Sequence, residues 1–147
     1  MTELPLQVLF LCTGNYYRSR YAEYLFNHLA EANCLNWRAF SRGLAIDLLA
    51  RDAGPISPHT MAGLSRWGIA TTGCMRPPIQ LSTDDLAKAD HIVALKQTEH
   101  LPLLIQRFPA WTDRVEFWEV DDVDLISPDA ALPLIEDAIR GLLERLR

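Results

Sequence analysis

The strongest constraint on the fold is a strand pattern that runs almost directly into a helical pattern. The apolar run Leu6–Leu11 predicts a buried β-strand, and from Ser19 onward apolar residues recur at helical spacing with charged residues between them. Only a short polar segment separates the two patterns. A strand that feeds a helix in this way is the first half of a parallel β-α-β unit.

The alternation of strand and helix patterns continues to the end of the chain. Further strands are expected at Trp37–Ser41, Asp90–Leu95 and Val115–Val120, and further helices after Ser57-Pro58, after Ser82, over Gln97–Phe108 and after Pro128. Pro102 is expected near the first turn of its helix, and Leu134 on the core-facing stripe of the last helix. The pattern predicts an α/β fold of one domain spanning residues 1–147: a doubly wound, four-stranded parallel sheet with helices on both faces.

Composition excludes several classes of protein. Nearly half of the 147 residues are hydrophobic, which is enough for one sizeable core, and the net charge of −5 lacks the basic footprint of a nucleic-acid binder. The three cysteines have no metal-ligand spacing, and Cys34 and Cys74 are expected to be packing residues. The sequence has no signal-peptide pattern and no membrane-length apolar run, so a cytoplasmic protein without a membrane partner is expected. The further expectations are a monomer or weak dimer, no metal and no cofactor.

The segment between the first strand and the first helix has the composition of an anion-binding loop. Gly14 and Asn15 tolerate left-handed backbone conformations, so successive N–H groups can point inward at a helix N-terminus and favour a phosphate-sized anion. The same field favours the thiolate form of Cys12, and Ser19 could donate a hydrogen bond to its sulfur. Arg18 offers a planar fork for two phosphoryl oxygens. The alternative is a buried, inert Cys12, since the Cys-x5-Arg spacing alone is weak evidence.

An acidic loop follows the fourth predicted strand. Asp121, Asp122 and Asp124 are candidates for a general acid, which would protonate the leaving oxygen when a cysteine attacks a phosphate ester. The first strand and the fourth strand end at the same edge of a parallel sheet, where ligands bind in this fold class. The alternative is an acidic surface turn that caps the last helix.

Four segments carry a family resemblance. Val8–Ser19 resembles the phosphate-binding loop of the low-molecular-weight protein tyrosine phosphatases, and Phe40–Gly43, Ala89–Leu95 and Trp118–Asp122 resemble three further segments of that family. The resemblance implies that Cys12 forms a phosphocysteine intermediate, that Arg18 and the loop backbone stabilise the transferring phosphoryl group, and that Asn15 holds the loop shape. It also implies that Ser19 assists the thiolate and that Asp122 is the acid.

The chain departs from the family pattern at several positions. Val123 stands where the family has proline, so Asp121 remains an alternative to Asp122 as the acid. Tyr17 replaces a second cysteine that many members carry, and Tyr16 matches neither the tyrosine-specific nor the arginine-specific members. Arg20 replaces a common proline and is expected to add positive potential near the mouth of the pocket. An aromatic wall is missing after Gly43.

The resemblance and the residues together predict an enzyme, a phosphomonoester hydrolase acting on phosphorylated protein or a small phosphomonoester. Phosphotyrosine is the first expectation for the substrate side chain. The alternatives are a phosphoarginine phosphatase, a catalytically weak phosphoryl-binding module, and an arsenate reductase, although the last lacks relay cysteines after the third strand. Besides Cys12, Arg18 and Asp122, the residues expected to bind substrate are Thr13, Gly14, Asn15, Tyr16, Tyr17 and Ser19.

Overall fold

A computed structural model describes residues 3–50 and 52–147. The strands are β1 (Leu6–Cys12), β2 (Trp37–Gly43), β3 (His91–Ala94) and β4 (Val115–Phe117). The helices are α1 (Arg18–Ala32), α2 (Pro58–Arg66), α3 (Thr83–Lys88), α4 (Gln97–Arg107) and α5 (Pro128–Arg145), with short 3-10 turns at Ile46–Leu48, Thr72–Cys74 and Pro109–Arg114. No helix of the described residues is long and apolar enough to cross a membrane.

All strand pairs are parallel, and the order across the sheet is β2-β1-β3-β4. The central strand β1 is buried on both faces: Val8 and Phe10 belong to one core cluster, and Leu9 and Leu11 to the other. This division follows from the alternation of side chains along a strand. The first cluster includes the apolar faces of α1 and α5, and the second includes residues of α3 and α4. The predicted single-domain, four-stranded parallel sheet with helices on both faces is therefore confirmed.

The strand order determines where a ligand can bind. β1 pairs with β2 on one side and with β3 on the other, so the chain leaves β1 in one direction and later returns to its opposite edge. In an open parallel sheet, the crevice at such a switch point lies outside the carboxyl ends of the strands. Cys12 is the last residue of β1 and therefore lies at this crevice.

Local sequence signals explain where two helices begin. The Ser57 hydroxyl accepts a hydrogen bond from the His59 N–H, and Pro58 occupies the first helical position of α2. At α3, Ser82 and Asp85 form a capping box in which each side chain accepts from the other residue's backbone N–H. Both helices begin where their capping residues predict.

Four local expectations were wrong. Pro102 lies in the second turn of α4 rather than the first, and β4 ends at Phe117, with Glu119 making only an isolated bridge to Lys96. Leu134 is exposed because the α5 stripe that faces the core runs through Leu132, Ile135 and Ile139 instead. Cys34 is exposed rather than packed.

The carboxylate of Glu116 ties β4 to the end of α5. It accepts two hydrogen bonds of 2.8 Å from Arg145 and one of 2.7 Å from the Trp118 indole N–H. The bonds from Arg145 lower the pKa of Glu116 from an ordinary value near 4.5 to about 2, against the opposing effect of burial. Glu116 therefore stabilises the fold above its ordinary pKa, and this contribution is lost as the pH falls towards about 2.

Replacing Glu116 with glutamine is expected to lower the free energy of unfolding at pH 7 by roughly 1–3 kcal/mol, because charge-assisted bonds are replaced by neutral ones. The deficit should shrink as the pH is lowered from 5 towards about 2, since the wild-type carboxylate becomes protonated. Urea unfolding at a series of pH values measures both effects. Glu144→Gln, at an exposed ion pair, is the matched control and should change little. An equal loss of stability at all pH values would contradict the conclusion that the ionised Glu116 carboxylate stabilises the fold.

Candidate active site

The loop after β1 holds a buried cysteine beside a serine hydroxyl. Cys12 is 3% exposed, and its Sγ lies 3.0 Å from Ser19 Oγ, within hydrogen-bond distance. In the thiol form the sulfur donates to this oxygen; in the thiolate form the Ser19 hydroxyl donates to the sulfur. The sequence places Ser19 here because it lies in the first turn of α1, directly beyond the loop.

Asn15 determines the conformation of the loop. Its φ of 51° is left-handed, as expected for an asparagine at a tight turn. Its side-chain amide donates to the hydroxyls of Ser19 and Ser41, both at 2.9 Å. Its carbonyl oxygen accepts from Arg76 at 3.0 Å and from the Ile79 N–H at 3.1 Å. A single buried side chain therefore connects the loop to β2 and to the segment around residue 78.

Arg18 is held by a carboxylate that the sequence analysis did not identify. Its guanidinium is 2% exposed and donates to both oxygens of Glu99, at 3.1 and 2.6 Å. A third bond of 2.9 Å reaches the Val120 carbonyl. Glu99 also accepts from the Thr13 hydroxyl. These contacts use both N–H groups of Nη1 and one of Nη2. The Nε–H group and the second Nη2–H group therefore remain available for an anion in the loop.

The electrostatics of this cluster keep Glu99 ionised and His100 neutral. Burial alone would raise the pKa of Glu99, but the polar contacts with His100 and Arg18 outweigh burial and hold its pKa well below the usual range. Burial lowers the pKa of His100, although Glu99 partly opposes this effect. Because His100 Nδ1 accepts the Lys96 N–H at 3.0 Å, its proton lies on Nε2. One signal for Glu99 was available: it lies in the first turn of the helix after β3, at the same sheet edge.

Of the three candidate acids, Asp122 is the one that lines the pocket around Cys12. Its Oδ2 lies 3.6 Å from Arg18 Nη2, and its Oδ1 accepts the Val123 N–H at 2.8 Å. Asp121 instead pairs with Lys96 at 3.3 Å. With a partly exposed carboxylate, Asp122 has access both to the pocket and to solvent.

The pocket around Cys12 is small, about 50 Å³. The residues that line it are Cys12, Gly14, Tyr16, Tyr17, Arg18, Leu49 and Asp122. This volume suits the phosphoryl group of a substrate rather than the whole substrate molecule. Leu49 lies over Gly14, where an added Cβ would come within 3.2 Å of the leucine side chain. Leu49 was not among the residues that the sequence predicted to bind substrate.

The two tyrosines of the loop have different environments. Tyr16 is half-buried, and its hydroxyl donates to the Ala53 carbonyl at 2.6 Å, so its ring is fixed as a wall. Tyr17 is 5% exposed, and its buried hydroxyl has no hydrogen-bond partner among the described residues. Burial, with a further contribution from the charge of Asp122, raises the pKa of Tyr17 to about 12. Only Tyr16 is therefore placed to contact a group outside the pocket.

The expectation that Arg20 adds positive potential at the mouth was wrong. The side chain is fully buried, and its guanidinium donates to four backbone carbonyls and to the Tyr24 hydroxyl. A guanidinium has five N–H donors, and carbonyls on three segments of chain converge on it here. The sequence could not indicate this role, because those segments are distant along the chain.

The fold and this site define a class of protein. A cysteine at the end of a parallel strand, an arginine at the start of the next helix and a carboxylate from a distant loop converge on one phosphoryl-sized pocket. This is the arrangement of a cysteine-dependent phosphatase, in which a thiolate attacks phosphorus and a carboxylic acid protonates the leaving group.

Comparisons with known proteins identify the family. Residues 7–147 match the family described as low molecular weight phosphotyrosine protein phosphatase. The protein-arginine-phosphatase of Bacillus subtilis is 29% identical over 110 residues, which cover 75% of this chain and 68% of that protein. The chain therefore belongs to the low molecular weight phosphotyrosine protein phosphatase family.

Solved structures agree with this assignment. The low molecular weight protein tyrosine phosphatase from T. tengcongensis is 26% identical and superposes with a TM-score of 0.78, covering 96% of this chain and 99% of that one. YfkJ from Bacillus subtilis is also 26% identical, with a TM-score of 0.81 and coverage of 96% and 94%. These likenesses span nearly the whole chain, so the overall fold is shared. The enzyme is a phosphatase of this family.

Proposed function

We propose that this phosphatase removes the phosphoryl group from phosphotyrosine in proteins, through a phosphocysteine on Cys12. The observation that carries the proposal is the convergence of Cys12, Arg18 and Asp122 on one pocket of about 50 Å³. Each of the three side chains supplies a different chemical requirement of phosphoryl transfer: a nucleophile, a charge clamp and a proton donor.

In the first step the Cys12 thiolate attacks phosphorus, and the bond between phosphorus and the tyrosine oxygen breaks. Asp122 donates its proton to that oxygen, which leaves as a neutral phenol. Arg18 binds two of the equatorial phosphoryl oxygens through the N–H groups that Glu99 does not use. The backbone N–H groups of the loop bind the developing negative charge at the start of α1.

In the second step water attacks the phosphocysteine. Asp122, now a carboxylate, accepts a proton from the water, the sulfur–phosphorus bond breaks, and inorganic phosphate leaves. The Ser19 hydroxyl stabilises the departing thiolate, because its oxygen lies 3.0 Å from the Cys12 sulfur. Asp122 is protonated at the start of the first step and ionised at the start of the second, so one carboxylate at the pocket serves both steps.

The preference for an aryl substrate is supported by the walls of the pocket. The ring of Tyr16, fixed by its bond to Ala53, and the aliphatic side chain of Leu49 both line the pocket. An aromatic ring and an aliphatic chain can pack against the faces of a phosphotyrosine ring. Tyr16 thus takes the place of the aromatic residues that are absent after Gly43.

Phosphoarginine is a second candidate substrate. The Bacillus subtilis relative at 29% identity is named as a protein-arginine-phosphatase. The carboxylate of Asp122 beside the pocket could also face the cationic guanidinium of such a side chain. Only a direct comparison of substrates separates the two candidates.

That comparison uses phosphotyrosine, phosphoserine and phosphoarginine peptides of otherwise identical sequence. The wild-type enzyme should hydrolyse the phosphotyrosine peptide with the highest kcat/KM, and Asp122→Ala should lower kcat about 100-fold to 10,000-fold because the leaving oxygen loses its proton donor. Asp121→Ala and Asp124→Ala are matched controls that should retain activity. A higher kcat/KM on phosphoarginine would replace the first candidate with the second. A larger loss in Asp121→Ala than in Asp122→Ala would overturn the assignment of the acid.

A further inference from the structure

A second and much larger cavity adjoins the pocket around Cys12, which is the catalytic pocket of the proposed function. Its volume is about 640 Å³, within the range of roughly 300–1,000 Å³ that ligand sites occupy. We call it the proline groove, lined by Ile46, Asp47, Leu49, Ala50, Gly54, Pro55, Pro77 and Pro78. Leu49 lines both cavities, so the groove begins where the catalytic pocket ends. Apart from Leu49, none of these lining residues has a part in the proposed reaction or in holding the phosphotyrosine ring.

The first wall of the groove is attached to the catalytic loop through Arg20. The guanidinium of Arg20 donates to the Asn15 carbonyl at 3.3 Å and to the Pro55 carbonyl at 3.0 Å, so it links the loop directly to this wall. The Tyr16 hydroxyl adds a bond of 2.6 Å to the Ala53 carbonyl, two residues before Pro55. Burial of the Arg20 side chain protects these bonds from competition with water.

The second wall, Pro77-Pro78, is attached to the same loop from both ends. Asn15 Oδ1 accepts from the Arg76 side chain at 3.0 Å and from the Ile79 N–H at 3.1 Å, and these two residues flank the two prolines. Arg20 also donates to the Arg76 carbonyl at 2.7 Å. The groove is therefore a preformed site whose two walls are held by residues of the loop that carries the nucleophile. A preformed site binds with a smaller entropic cost.

The surface of the groove favours an apolar occupant. Of the eight lining residues that the structure describes, five are proline, leucine or isoleucine, and a sixth is alanine. Among the lining residues that the structure describes, the one charged residue, Asp47, is paired with Arg107 at 3.0 Å. A negatively charged segment would therefore meet the Asp47 carboxylate, whereas an aliphatic side chain would bury apolar area against the prolines and Leu49.

We propose that the proline groove binds the peptide segment next to the phosphorylated residue of a protein substrate, and that it selects an aliphatic side chain there. The catalytic pocket holds little more than a phosphoryl group, so the flanking chain must lie outside it, and the groove is continuous with it at Leu49. Consecutive Cα atoms of a peptide are only about 3.8 Å apart, so the residue beside the phosphorylated one can reach the groove. This inference rests on the proposed function, because it requires a phosphoprotein substrate.

The test measures binding apart from turnover. Fluorescein-labelled peptides carry leucine or serine on both sides of one phosphorylated residue, in one set with phosphotyrosine and in another with phosphoarginine. Fluorescence anisotropy gives their Kd values for the Cys12→Ser protein, which cannot form the phosphocysteine. The leucine-flanked peptide is expected to bind about tenfold more tightly than the serine-flanked one in at least one set, because a leucine side chain is buried.

Two variants test whether the preference for leucine arises in the groove. Ala50→Asp, added to Cys12→Ser, places a carboxylate in the groove and should abolish the preference for leucine. Ala32→Asp is the matched control, since Ala32 is exposed at the end of α1 and outside the groove, and it should preserve the preference. Equal Kd values in both sets, or a preference that survives Ala50→Asp, would overturn the proposal.

The two proposals fail in different ways. If the wild-type enzyme hydrolyses no aryl phosphate or phosphopeptide while the leucine preference is present and sensitive to Ala50→Asp, the proposed function fails, and the groove is retained only as a binding site for the segment beside a phosphorylated residue. If hydrolysis is observed without any such preference, the groove assignment fails and the proposed function stands.

Discussion

Replacing Cys12 with serine is expected to lower kcat on p-nitrophenyl phosphate by at least about 10,000-fold. The serine hydroxyl is not ionised near neutral pH and cannot replace a thiolate as the nucleophile. The fold should persist, because the loop shape depends on Asn15 and its bonds to Ser19 and Ser41, none of which involves the sulfur. Steady-state kinetics measures the loss, and circular dichroism measures the fold.

Replacement of another cysteine, Cys34, is the control for the loss of activity. Cys34→Ser changes an exposed thiol outside the catalytic pocket and should keep kcat within about twofold of the wild-type value. Trapping with 32P-labelled substrate should give a labelled wild-type protein and an unlabelled Cys12→Ser protein. If Cys12→Ser retains more than a few per cent of wild-type turnover, Cys12 is not the nucleophile.

Replacing Arg18 with lysine is expected to lower kcat about 100-fold to 1,000-fold, although the charge is unchanged. An ammonium group cannot donate to both oxygens of Glu99 and to the Val120 carbonyl while also binding two phosphoryl oxygens. Because Glu99 and the Val120 carbonyl lose partners, the free energy of unfolding should also fall, by roughly 1–3 kcal/mol.

Two measurements separate the catalytic effect from the structural one. The inhibition constant of vanadate reports how well the loop binds an oxyanion, and it should weaken in Arg18→Lys together with kcat. Arg38→Lys, at an exposed residue of β2, makes the same chemical change outside the pocket and should alter neither quantity. If Arg18→Lys keeps wild-type vanadate binding, the guanidinium does not bind the phosphoryl group.

Much of the site was predictable because it lies in one short segment with local structural signals. Asn15 has the left-handed conformation that its type favours, and Ser19 lies beside the sulfur of Cys12 because the strand, the loop and the helix follow one another directly. The distant Asp122 could be placed near them only through the general rule that parallel strands end at the same edge. The rule selects an edge rather than a residue, so only the structure shows that Asp122 lines the pocket while Asp121 pairs with Lys96.

Residues whose partners are distant in sequence were missed or misjudged. Glu99 is one of several acidic residues in the chain, and only the folded structure places it against the guanidinium of Arg18. Arg20, at the start of the first helix, was expected to add positive potential near the mouth, yet carbonyls from three segments of chain accept hydrogen bonds from it in the interior. Contacts of this kind depend on which segments meet, and that information is not contained in a local pattern.

The sequence by itself determined the alternation of strands and helices, the apolar stripes that build a parallel sheet, and the loop after β1 that holds Cys12, because each depends on interactions between neighbouring residues. The tertiary structure decided which carboxylate holds Arg18, which aspartate lines the pocket, and how Arg20 and Asn15 hold the two walls of the proline groove. Those features arise from hydrogen bonds between segments up to about a hundred residues apart, whose geometry is fixed only when the two cores pack against the sheet.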